Sequence, residues 1–92
     1  MINIYVARNK KVGAYENPFF DVQDKHSLMF NLQKFVILQP EKAKAQFMDE
    51  CEMYFLGTFD QESCQFDLLE KPEYLIDLGD VYARRVREDD KA

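Results

Sequence analysis

Between residues 51 and 69 the chain reads CEMYFLGTFDQESCQFDLL, and no other stretch limits its fold so tightly. Two runs rich in strand formers, Cys51–Phe59 and Gln65–Leu69, flank the polar segment DQES, the pattern of an antiparallel hairpin. Folding about Asp60–Ser63 sets Gly57 opposite Leu68 and Phe59 opposite Phe66. That register gathers Cys51, Met53, Phe55, Phe59, Cys64, Phe66 and Leu68 on one face and Glu52, Thr58, Gln65 and Asp67 on the other. A slip of one residue would mix the two sets, so the hydrophobic pattern itself specifies the pairing. The same pairing separates Cys51 from Cys64 by far more than the ~7 Å Cα distance that a disulfide spans. Both are expected to be buried free thiols. With a single histidine in the chain they also lack the partners and spacing of a structural zinc site.

The rest of the chain supplies what the hairpin packs against. Ile2, Ile4 and Val6 alternate with Asn3, Tyr5 and Ala7, which predicts a strand over Ile2–Arg8. A turn at Asn9–Lys11 leads into Val12–Tyr15, a short return strand. Asp24 suits an N-cap, and Leu28, Leu32, Phe35 and Val36 follow with helical spacing. Pro40 ends that pattern, so a helix is expected over Lys25–Leu38. Residues 41–48 read as a short helix. Residues 72–83 are apolar enough to dock on the body without declaring a secondary structure, and residues 84–92 read as a polar, frayed tail. The expected fold is α+β: a single domain over residues 1–83, with three to four antiparallel strands and one main helix on one face. One helix covers one face. The other carries Tyr5, Tyr54, Leu56 and Leu69, and needs a cover, either the C-terminal segment or a second subunit in a homodimer.

Composition narrows the function. The net charge of −5 lacks the basic footprint with which most proteins neutralise nucleic-acid phosphates. Local basic clusters do occur, at Arg8, Lys10 and Lys11 and at Arg84, Arg85 and Arg87. With Tyr5 and Tyr54, whose rings could stack unpaired bases, Arg8, Lys10 and Lys11 are the candidate nucleic-acid contacts. Tyr5, Tyr54, Leu56 and Leu69 are the candidate protein interface. His26 beside Ser27 and Asp24 forms no triad, because neighbours on a helix point in different directions. The acids around the hairpin suit solvated turns, and there is no phosphate loop, H-E-x-x-H or calcium-loop spacing. No enzyme, metal or cofactor is expected. MINIYVARNK lacks the basic leader and apolar run of a signal peptide, and no apolar run approaches a membrane span, so a cytoplasmic protein without a membrane association is expected.

One stretch resists this reading. VGAYENPFF, Val12 to Phe20, combines turn formers with Tyr15, Phe19 and Phe20. Ala14, Asn17, Pro18, Phe19 and Phe20, then a helix, then Leu56, Gly57, Phe59, Asp60 and Phe66, make an order and spacing that resembles the small nonstructural protein of gokushoviruses. These are single-stranded-DNA phages of the Microviridae. The resemblance spans roughly Ile4 to Leu69. It implies a protein made in the cytoplasm of the infected bacterium, with a role in viral DNA replication or packaging. The implied partners are single-stranded DNA, or a viral or host replication or packaging protein. The alternative is an adaptor or host-takeover factor that never touches DNA. In that family the hairpin turns through glycine; here Ser63 and Cys64 stand there, and a positive φ at Cys64 would be strained. Phe19 and Phe20 are expected to drop between helix and sheet.

Overall fold

The computed structural model describes residues 1–38 and 50–91, with side chains as far as residue 84. The expected short helix over 41–48 lies outside the described residues. Five strands form one antiparallel sheet: β1 (Ile2–Asn9), β2 (Ala14–Tyr15), β3 (Phe19–Asp21), β4 (Cys51–Asp60) and β5 (Gln65–Asp77). The order is β2-β1-β4-β5, and β3 shares β1's outer edge with β2. Among the described residues two helices, α1 (Lys25–Leu38) and α2 (Leu78–Lys91), complete an α+β domain. The hairpin pairs as its pattern dictates, Gly57 with Leu68 and Phe59 with Phe66.

The puzzling stretch VGAYENPFF is an interrupted edge strand. After the Asn9–Gly13 turn, where Asn9 Oδ1 accepts the Lys11 and Val12 amides, Arg8 pairs with Tyr15 and Asn9 with Ala14. The Glu16 amide still donates to Ala7 O. Pro18, which has no N–H, falls at the break. Pairing resumes at Tyr5–Phe19, Ile4–Phe20 and Asn3–Asp21. Alternation then sends Phe19 and Phe20 to opposite faces. Only Phe19 points to the helix side, with its ring centroid 5.8 Å from that of Tyr5; the expectation that both rings lie under the helix is corrected for Phe20.

A second correction concerns β4. Tyr5 pairs with Phe55 but Ile4 pairs with Gly57, so Leu56 is an extra residue on β4. Such a bulge shifts the side-chain phase by one residue. Cys51, Met53 and Phe55 face the helices, whereas Phe59, with Phe66 and Leu68 opposite, faces away. Phe66 and Leu68 are accordingly 57% and 60% exposed. Gly57 makes the bulge feasible: its φ is +149°, and a Cβ there would land on Asp67 O and lie 2.8 Å from Leu68 Cα. Cys64, expected buried, is exposed in the turn, with a φ of +60°.

The core joins Tyr5, Leu28, Val36, Cys51, Met53, Leu78 and Val81, so both helices lie on the same face of the sheet. Asp24 caps α1 as its sequence position suggests, its Oδ1 accepting the Ser27 amide at 2.7 Å. Residues 72–83 finish β5 and begin α2. Asp77 caps that helix through the Gly79 amide at 2.8 Å, and the stretch read as a frayed tail continues as helix to Lys91. The C-terminal segment therefore thickens the side already covered, and among the described residues no element covers the opposite face.

Candidate functional site

That uncovered face is the candidate site. On the face away from the helices β1 contributes Ile2, Ile4, Val6 and Arg8, and the ladder sets Phe20, Phe59, Gly57, Tyr54 and Glu52 beside them. β5 adds Phe66, Leu68, Tyr74 and Asp77. Ile4 and Val6 are buried yet stand outside the helix-side core. What shields them is two groups of rings reaching across β1. At one end Phe20 meets Phe59 (centroids 5.8 Å apart) and Phe66 (6.4 Å), and Phe59 meets Phe66 at 4.8 Å. At the other, Tyr54 meets Tyr15 at 5.7 Å and Tyr74 at 5.9 Å, both edge to face. Rings from strands that are not neighbours touch, so the sheet curls with this face concave. Aromatic pairs at these distances contribute about 0.5–1.5 kcal/mol each beyond burial. Even so, Tyr15 (52% exposed), Phe20 (53%) and Tyr74 (53%) remain half in solvent, as does Phe66.

The charges of this face sit at the tyrosine end and are matched. Arg8 Nη1 lies 3.4 Å from Glu52 Oε1, and its guanidinium stands 6.0 Å from the Tyr15 ring centre. Lys10 Nζ reaches both oxygens of Asp77 at 2.9 Å. Lys11 lies 3.4 Å from Glu50. The three basic residues expected to contact nucleic acid are thus each beside a carboxylate. The hydroxyl of Tyr54 donates to Glu52 Oε1 at 3.4 Å. Burial, Glu52 and Tyr15 raise its pKa; burial, Asp77 and Asp80 raise that of Tyr74. Both tyrosines are therefore neutral near pH 7.

Tyr5 is placed differently from its sequence reading. It is fully buried on the helix side, and its hydroxyl donates to Gln23 O at 2.6 Å. It can neither stack a base nor join an interface. The reason is the alternation within β1: Ile4 and Val6 share one face, Tyr5 and Ala7 the other, and the helices packed on the tyrosine's side. Of the remaining interface candidates, Tyr54 is half-buried at the centre of the tyrosine group. Leu56 is the half-buried bulge residue. Leu69 is exposed, in the unpaired stretch of β5 between Leu68 and Glu73. The residues that the sequence reading missed are Tyr15, Phe20, Phe59, Phe66 and Tyr74. A signal existed: Gly57 amid strand formers marks a bulge, and a bulge there turns Phe59 and Phe66 outward.

Among the described residues no cluster of three or more His, Cys, Asp or Glu could hold a metal ion, and no helix is long and apolar enough to cross a membrane. Compared with protein families, residues 2–81 match the family described as Phage ORF5 protein. That span runs from β1 into the first turn of α2 and includes every ring on the open face. No curated protein and no solved structure matches the chain.

Proposed function

The chain belongs to the phage ORF5 protein family, and from that premise we propose that it acts by binding, without catalysis, in the replication or packaging of viral single-stranded DNA. The finer setting of this reading is a nonstructural protein of a gokushovirus, working in the cytoplasm of the infected bacterium. The observation that carries it is the concave sheet face, where four half-exposed rings border Ile4 and Val6. Exposed apolar surface rimmed by polar groups marks interaction sites. Aromatic residues concentrated in a patch where charge is scarce or matched are typical of protein interfaces, so the contact assigned to this face is with a protein. The decisive experiment introduces Leu68→Glu into the phage genome. Leu68 is 60% exposed on the edge strand β5, on the side away from the helices, so the substitution leaves the helix-side core alone. Single-stranded genome synthesis or packaging should fall at least tenfold; wild-type yields of both would end the proposal.

Direct contact with single-stranded DNA is the second reading, favoured by the rings themselves. Base–aromatic stacking contributes about 1–3 kcal/mol per base, and Tyr15 and Tyr74 present open ring area. Arg8, Lys10 and Lys11 would then exchange their carboxylates for phosphates. A salt titration with a labelled oligonucleotide separates the readings. Affinity that drops steeply with salt and is lost in Tyr74→Ala supports phosphate and base contact; no binding at low salt removes it.

A further inference from the structure

We infer that the concave aromatic face is where two copies of this chain meet. The inference rests on the reading of that face as a protein contact and names its occupant. Strand addition is the first alternative, and both sheet edges are built against it. One edge is the broken pair β2–β3, interrupted at Asn17–Pro18. The other is β5, which carries Pro72 and holds Leu69–Pro72 out of register between the Leu68 and Glu73 pairings. Prolines and bulges are standard means of blunting an edge, so association through the sheet uses its face.

Charge then selects the occupant. The phenylalanine end of the face is built from Ile2, Ile4, Phe20, Phe59, Phe66 and Leu68, none of them a charged residue. The tyrosine end carries two cations and two anions in matched pairs, Arg8–Glu52 and Lys10–Asp77. A nucleic acid would call for surplus positive charge, and a strongly charged protein partner for surplus of the opposite sign. A face whose charges cancel can be laid against its own copy without repulsion across the contact. Size fits as well. With about half of each ring's ~200 Å² open, the four rings offer on the order of 400 Å² of aromatic surface, at the level of the largest patches on monomers. Leu68 extends it toward the ~800 Å² per partner of a standard interface.

The charges described on the face cancel while the whole chain has a net charge of −5, so two copies repel at long range while their faces attract. This predicts an unusual sign of salt dependence: dimer affinity rises as ionic strength increases from about 0.05 to about 0.5 M, as the Debye length shrinks several-fold. DNA binding has the opposite sign. Sedimentation equilibrium of the intact chain is the test. A concentration-dependent dimer that tightens with salt, and that Leu68→Glu and Tyr74→Glu each weaken at least tenfold, supports the inference. A wild-type chain that stays monomeric at every concentration and salt overturns it, as does a dimer that both substitutions leave unchanged. Should either variant lose its fold, wild-type chains mixed from labelled and unlabelled stocks settle the point. Intermolecular NOEs at Phe66, Leu68 and Tyr74 support the face-to-face dimer, and a dimer without them refutes it. A monomer leaves the proposed replication role standing with another partner; a phage indifferent to Leu68→Glu ends that role, whatever the sedimentation shows.

Discussion

Single residues hold the turns and crossings of this chain in conformations their chemistry only partly suits. Gly57 suits its place, since β5 passes too close for any Cβ. Cys64 does not. Its φ of +60° is left-handed backbone, which an L side chain adopts at a cost of about 1–2 kcal/mol. The turn tolerates it because the Cys64 amide donates to Asp60 O at 2.8 Å and the Glu62 amide to Asp60 Oδ1 at 3.0 Å. Cys64→Gly should therefore stabilise the protein by about 0.5–1 kcal/mol, the strain removed less the added freedom of the unfolded glycine. Cys64→Val should destabilise it. Thermal melts of both variants, which leave the open face untouched, check the pair.

At the scale of elements, the two helices are tied to the sheet by polar links of different kinds. The start of α1 is fixed by Gln23, whose carbonyl accepts from Tyr5 Oη and from Asn3 Nδ2 at 2.8 Å, and whose side chain meets Asn31 and Asp21. The polar tie at the start of α2 is Asp77, which caps the helix and receives Lys10 from the β1–β2 turn. Asp77→Ala removes both links and should cost about 1–2 kcal/mol, in the range for lost N-caps. Hydrogen exchange should show the loss concentrated in α2, with β1 and β4 still protected. Asp77→Asn keeps a capping oxygen and should recover most of it.

For the whole molecule the sheet has two apolar faces, one covered by both helices and one by its own rings, and this sets the response to pH. Burial, aided by Asp21 and Asp24, raises Tyr5 above its ordinary 10.0. Burial, aided by Glu16 and Glu50, raises the Cys51 thiol above 9.0. Both groups fold neutral. Their contribution is complete below those ordinary values and is lost as pH climbs through the raised ones. On the acid side, hydrogen bonds from Ser27 and from Glu62 lower Asp24 and Asp60 below 3.8, so their contribution holds above that value and fades as pH falls. Urea midpoints measured against pH should form a plateau between about 4 and about 9. Cys51→Ala should delay the start of the alkaline decline, because the thiol's ordinary value of 9.0 lies below the 10.0 of Tyr5.

The sequence by itself determined the α+β class, the span and cap of α1, and the pairing of Gly57 with Leu68. Each of these is decided by neighbours in the chain: a helical spacing, a capping carboxylate, an alternation about one turn. Only the tertiary structure decided which way the faces point. The bulge at Leu56 inverts Phe59 and Phe66, the break at Pro18 splits Phe19 from Phe20, and Tyr5 goes inward because both helices chose its side. Local patterning carries period and register, but the sign of a face depends on what packs against it, and that partner is distant in the chain.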